Sequence, residues 1–299
     1  MRVVSLLPAA TDIVASLGGA GYLVGISHEC DYPPSIRHLP RVTTTPIDPV
    51  ASSATINAEV RRLMESGHPV IAIEAEQLLA LRPDLIVSQE LCEVCAVSDG
   101  QIHRLAASLA GAWVLSLKAR TLDGIWSDIR AVGAALGLAD EADELVLGSQ
   151  SRLERLRSGR PSQPPRILCV EWLDPLYIAG HWVPELVTCA GGIAVASRTG
   201  AHSVQGDWAQ LQKLEPDLIV VMLCGFDVSR ARRELELLDD PNALELLEGV
   251  PTYIIDGNAY TSRPGPRVVD GAIRIHSAIM GRPIRGMARW RPQRRYSHS

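Results

Sequence analysis

Leu78 to Val87 reads LLALRPDLIV, and 133 residues further on Leu211 to Val220 reads LQKLEPDLIV. Each copy holds the end of an amphipathic helix, a Pro-Asp turn and a β-branched strand suited to burial. Two copies half a chain apart predict two α/β lobes of similar construction.

Working outward, Val3 to Leu7 is a short, nearly continuous apolar run, the pattern of a parallel strand covered on both faces. Pro8 breaks it, and a helix follows over Ala10 to Leu17, stopped by Gly18-Gly19. A second strand is expected at Leu23 to Ser27, then a loop-heavy stretch from Asp31 to Ser53. Thr121 is suited to cap a helix whose apolar residues Ile125, Ile129, Val132 and Leu136 recur at three and four positions. A second helical pattern covers Glu141 to Leu156. The second lobe reads as strands Arg166 to Val170, Leu218 to Met222 and Thr252 to Ile255, closed by a helix from Val268 to Met280. The division is then a first α/β lobe at 1–120, a helical connector at 121–160, a second lobe at 161–281 and a basic tail at 282–299. A single long connecting helix lets the lobes move little.

The 299 residues carry 34 acidic and 29 basic side chains, a net charge of −5, so no nucleic-acid partner is expected. Arginine concentrates from Arg282 to Ser299, where six occur without one acid, the composition of a solvated terminus. Met1-Arg2 leads directly into the first strand, with neither the apolar stretch nor the cleavage site of a secretory signal. A cytoplasmic location is expected, with the six cysteines as thiols or metal ligands.

Several motifs resemble one family of substrate-binding proteins, the class that includes the periplasmic cobalamin-binding protein and the iron-siderophore binders. They are RVVSLLPAATDIVASLG at the start, VGISHECDYPP over Val24 to Pro34, both PDLIV units, CAGG at Cys189 to Gly192 and TSRPGPR at Thr261 to Arg267. The resemblance implies an α/β fold of two Rossmann-like lobes with central parallel sheets joined by one long connecting helix, the class III periplasmic-binding-protein fold. It implies a small ligand, cobalamin or another corrinoid, held between the lobes. Transporter-linked members dock an acid of each lobe on arginines of a membrane permease. Eight residues before Asp84 stands Glu76, but the same count from Asp217 lands on Ala209, with Asp207 out of register. A cytosolic relative without a permease partner is therefore expected.

In open parallel sheets ligands bind beyond the carboxyl ends of the strands. The residues there are Pro8, His28, Glu29, Gln89 and Glu90 in the first lobe, and Glu171, Trp172, Tyr177, Trp182, Tyr260 and Arg263 in the second. Four of the twelve Trp and Tyr side chains fall in these second-lobe segments, a bias that favours a flat, ring-bearing ligand. His28, Cys30 and the C-x-x-C pair Cys92 and Cys95 form a possible four-ligand shell for zinc or iron. Packing thiols or a reducible Cys92–Cys95 pair are the alternatives. Cys169 and Cys189 fall inside a strand and a helix and read as core. The rival functions are a transition-metal-binding protein using that cluster and an enzyme acting on a small metabolite. No catalytic residues are assigned, because neither a phosphate-binding glycine loop nor a nucleophile elbow is present.

Overall fold

The computed structural model describes residues 1–90, 102, 112–159 and 161–291. The chain divides into two compact units. Unit 1 is Met1–Ala51, Thr55–Ser149 and Pro264–Pro266, and unit 2 is Ser52–Ala54, Gln150–Arg263 and Arg267–Ser299.

Unit 1 holds strands β1 (Val3–Ser5), β2 (Leu23–Ile26), β3 (Thr43–Thr44), β4 (Ala72–Ile73), β5 (Leu85–Gln89) and β6 (Trp113–Leu117). Four of them form a sheet in the order β2-β1-β5-β6, every neighbouring pair parallel, while β3 and β4 pair antiparallel apart from it. The apolar runs explain the arrangement, since Val3, Val4, Leu85, Ile86 and Val87 are all fully buried. Helix α1 (Pro8–Ser16) starts directly after β1 with Pro8 in its first turn, where a missing N–H costs nothing. Helices α2 (Ser53–Glu65), α3 (Ala75–Leu81) and α4 (Leu122–Leu136) follow. Thr121 caps α4 as expected, its side chain accepting the Gly124 N–H at 3.1 Å.

The long helix α5 (Ala139–Ser158) crosses from unit 1 into unit 2 at Ser149–Gln150. The helical stretch read at 121–160 is thus two helices with different allegiances. Helix α4 buries Ile125, Ile129 and Val132 and lies wholly in unit 1, whereas α5 is divided between the units.

Unit 2 is built on β7 (Arg166–Leu173), β8 (Leu176–Ile178), β9 (Ile193–Ala194), β10 (Val204–Gln205), β11 (Leu218–Val221), β12 (Thr252–Ile255) and β13 (Met287–Trp290). Their order is β10-β8-β7-β11-β12-β13, with β9 also beside β7. The central β7, β11 and β12 are parallel. Its helices are α6 (Val183–Ala190), α7 (Trp208–Gln212), α8 (Val228–Leu237), α9 (Pro241–Gly249), α10 (Gly257–Tyr260) and α11 (Val268–Ile279). The reading of 282–299 as a solvated tail is corrected for its first part. Met287 to Trp290 pairs antiparallel with Ile255 to Thr252, and Met287 and Trp290 are buried. Residues 292–299 lie outside the described residues.

The two PDLIV units are equivalent strand starts. In unit 1 the Arg2 N–H donates to Asp84 Oδ2 at 2.7 Å, the Asp84 N–H returns to the Arg2 carbonyl at 2.8 Å, and Arg2 Nε reaches the Leu81 carbonyl. In unit 2 Arg166, Asp217 and Leu214 repeat all three bonds, at 2.7, 2.8 and 3.1 Å. The residues ahead of the prolines, Arg82 and Glu215, share a left-handed backbone with φ of 43° and 46°. Among the described residues no helix is long and apolar enough to cross a membrane.

Candidate functional site

At the carboxyl edge of the unit 1 sheet, β2 delivers His28 and Glu29, and β5 delivers Gln89 and Glu90. His28 is half-buried and anchored twice on Thr43 of β3: its N–H donates to Thr43 Oγ1 at 3.0 Å, and its Nδ1 lies 2.7 Å from the same oxygen. Burial pushes the imidazole below its ordinary pKa, Glu29 opposes that shift, and Arg41 adds to it. That shift favours the neutral imidazole.

Cys30 takes a different course. Its thiol is 1% exposed and lies 3.1 Å from Thr11 Oγ1, which donates to Ser5 Oγ at 2.8 Å. Arg41 ties the same turn down by donating to the carbonyls of Ser27 and Cys30. The expected shell of His28, Cys30, Cys92 and Cys95 is thus split in its visible half, since the imidazole engages β3 while the thiol packs against α1. Cys92 and Cys95 lie outside the described residues. Among the described residues no group of three or more His, Cys, Asp or Glu side chains is placed to hold a metal ion.

Gln89 ends β5 with its Nε2 buried and, among the described residues, without a hydrogen-bond partner. Glu90 is exposed and paired with Lys118 at 2.6 Å, a contact that lowers its carboxyl pKa. Pro8 stands in the first turn of α1 at the same edge.

The unit 2 residues divide by what already occupies them. Trp172 and Tyr177 are half-buried partners across the β7–β8 hairpin, in direct antiparallel register. The Trp172 ring meets Phe226 edge-on at 5.2 Å, and its Nε1 donates to the Asp174 carbonyl. Glu171 is half-buried on β7, where its carbonyl accepts the Cys224 N–H at 3.0 Å. Trp182 is 4% exposed and donates to the Thr261 carbonyl at 2.9 Å, so it anchors the interior of unit 2. The Tyr260 ring carries the Arg274 guanidinium 3.5 Å from its centroid and Arg267 at 5.2 Å. Arg263 is buried and donates to Asn258 Oδ1 at 2.7 Å. Cys169 and Cys189 are both buried, and burial, with Glu171 nearby, pushes the Cys169 thiol up to about 12. Two cavities within unit 2, of about 390 and 550 Å³, are lined by other residues, among them Thr188 and Gly191 in the first and Asp174 and Asp207 in the second.

The helix starts revise one sequence register. Glu74 precedes α3, and Asp207 caps α7 by accepting the Gln210 N–H at 3.0 Å. Both acids are exposed and stand ten residues ahead of the Pro-Asp aspartates. Aligned on helix starts, each unit presents an acid, whereas counting eight residues compared Glu76 with Ala209.

The sequence matches the periplasmic binding protein family over residues 3–246. The chain belongs to that family. Its fold is the class III periplasmic-binding-protein fold anticipated from the motifs. It is 26% identical over 223 residues to the vitamin B12-binding protein of Vibrio cholerae, covering 73% of this chain and 69% of that protein. It is 24% identical to the uncharacterized ABC transporter substrate-binding lipoprotein YvrC of Bacillus subtilis, covering 93% and 79%. Among solved structures, a periplasmic heme-binding protein from Pseudomonas aeruginosa superposes with a TM-score of 0.73 at 22% identity, covering 98% and 99% of the two chains. The periplasmic vitamin B12-binding protein BtuF of Vibrio cholerae superposes with a TM-score of 0.63 at 21% identity, covering 93% and 96%.

Thr43, Arg41 and Phe226 are the site residues that sequence reasoning missed. Thr43 reaches His28 across fifteen residues of loop, and no local pattern marks such a contact.

Proposed function

We propose that this family member binds a metallated tetrapyrrole, a corrinoid or a heme, and that His28 supplies an imidazole to the ring metal. The observation that carries the reading is the setting of His28, half-buried at the carboxyl edge of a parallel sheet with Nδ1 2.7 Å from Thr43 Oγ1, where burial lowers the imidazole pKa. Thr43 Oγ1 has two lone pairs and can accept both the backbone N–H and Nδ1–H, which leaves the Nε2 lone pair for a metal. A hydrogen bond to the other ring nitrogen is how metal-ligating histidines are oriented. Gln89 adds a buried amide donor at the same edge. Relatives named for vitamin B12 and for heme support both rings equally.

Absorbance titrations with aquocobalamin and with hemin test the proposal. The band shift of imidazole ligation is expected with one of them and is lost in His28→Ala. A ring that binds with an unchanged spectrum in His28→Ala removes the ligating role, and failure of both rings to bind removes the function. Trp172→Ala reports separately on unit 2.

The cytoplasmic location stands as a proposal, supported by the unbridged thiols of Cys30, Cys169, Cys189 and Cys224. Glu74 and Asp207 favour a second reading, a substrate-binding protein that docks on a basic membrane permease. Cell fractionation of the native protein separates them, because retention in the cytoplasm leaves such a permease out of reach.

A further inference from the structure

Unit 2 brings two histidines together that the tetrapyrrole reading does not use. His181 lies between β8 and α6, and His202 lies two residues before β10; their ring centroids are 5.3 Å apart at an interplanar angle of 73°. The two segments are fastened backbone to backbone. The His181 N–H donates to the Ala201 carbonyl at 2.7 Å, the Gly200 N–H donates to the His181 carbonyl at 2.9 Å, and the Gly180 N–H donates to Ser203 Oγ at 3.2 Å. Gly180 permits this approach, because a Cβ there would lie 2.5 Å from the Ala201 carbonyl oxygen and 2.7 Å from Ser203 N. His181 itself has a φ of 52°, a left-handed backbone that costs a non-glycine residue on the order of 1 kcal/mol or more. The fold thus holds His181 in a strained conformation facing a second imidazole.

The centroid separation can be set beside those of coordinated imidazole pairs. With metal–nitrogen bonds of about 2.05 Å and a ring centroid about 1.15 Å behind the nitrogen, two imidazoles on a tetrahedral ion have centroids about 5.2 Å apart. On adjacent octahedral positions the figure is about 4.5 Å, and on opposite axial positions of a macrocycle it is about 6.4 Å, by the same bond lengths. The observed 5.3 Å, an edge-to-face contact at 73°, is compatible with the tetrahedral spacing. His181 Nδ1 lies 3.5 Å from the Ala201 carbonyl oxygen, the backbone partner that commonly orients a metal-bound imidazole.

We propose that His181 and His202 form a bidentate site for a tetrahedral divalent ion of the zinc type, with its two other positions open to water or a small donor molecule. The site does not depend on the tetrapyrrole reading, since both imidazoles belong to unit 2 and the probe is a bare ion.

Cobalt(II), an optical stand-in for zinc, tests this on the full chain. A saturable, intense visible band of tetrahedral nitrogen-ligated cobalt is expected, displaced by zinc and accompanied by quenching of Trp182, whose ring lies 5.7 Å from His181. Loss of a group hydrogen-bonded to a metal ligand weakens metal affinity about 10- to 100-fold, so loss of a ligand itself in His202→Ala should weaken cobalt binding at least about tenfold. His202 is exposed, so that variant keeps its fold. The double variant Cys92→Ala with Cys95→Ala should bind as the native chain does. A pale octahedral spectrum, a band unchanged in His202→Ala, or a band lost with the cysteines overturns the assignment.

Discussion

Gly257 opens α10 against the carbonyls that close β11, and a methyl group has no room there. A Cβ at this position would lie 2.1 Å from the Leu223 carbonyl oxygen and 2.7 Å from that of Met222, where ordinary contacts begin at 3.4 Å. Either the helix start or the strand end must retreat by about 1 Å. The strand end is held, because the Leu223 carbonyl accepts the Phe226 N–H at 3.1 Å and the Cys224 N–H donates to the Glu171 carbonyl at 3.0 Å. Overpacking costs about 1–3 kcal/mol, and one weakened backbone hydrogen bond adds about 1 kcal/mol. Gly257→Ala should therefore lose about 3 kcal/mol of unit 2 stability. Urea unfolding followed by tryptophan fluorescence measures it, with the Trp172–Phe226 contact as a local reporter. A loss below about 1 kcal/mol, the size of an ordinary point substitution, would refute the claim that this contact is rigid.

Two further outcomes follow from the hydrogen bonds and charges. Asp84→Ala and Asp217→Ala each remove one carboxylate from a backbone N–H, at a cost of about 1 kcal/mol. Hydrogen exchange should rise in β1 and β5 for the first and in β7 and β11 for the second; a single global response would contradict equivalent, separate clamps. His28 has a folded pKa below its unfolded value near 6.5, so the unfolded chain takes up its proton first. Its contribution to stability is complete above that pH and is lost as the pH falls toward the folded pKa. His28→Gln should flatten the urea midpoint between pH 6.5 and 5, and an unchanged slope would remove burial as the cause.

The sequence revealed most where one physical pattern dominates. The strands read at Val3 to Leu7 and Leu218 to Met222 are present over Val3–Ser5 and Leu218–Val221, because parallel strands buried on both faces are continuously apolar. Strand β13 escaped notice because its exposed position is Arg289, and an arginine-rich terminus resembles solvated chain. Charged residues suit edge strands, so the same arginine that concealed the strand protects its edge. The site was only half legible. His28 and Gln89 stand where strand ends put them, but chain position does not say which way a side chain turns. Cys30 turned inward to Thr11, and Trp182 turned inward to Thr261. The aromatic bias of unit 2 is likewise part interior anchor, part arginine platform at Tyr260, and part hairpin pairing at Trp172 and Tyr177.

The two units agree closely at the amino ends of their strands and diverge at the carboxyl ends. Arg2 with Asp84 and Arg166 with Asp217 make the same bonds, and the left-handed residues before each proline differ by only a few degrees. Such agreement fits a clamp that sets strand register. At the carboxyl ends, unit 1 presents a half-buried imidazole and a buried amide, whereas unit 2 extends β7 into a hairpin carrying Trp172 and Tyr177. A repeated scaffold with unlike rims separates the folding problem from the binding problem. Substitutions at the clamps should change stability and spare ligand choice, while substitutions at the rims should do the reverse. That asymmetry fits a family match alongside relatives named for both vitamin B12 and heme, because the motifs that resemble the family include the PDLIV clamps, while the proposed ligand site lies at the other end of the strands.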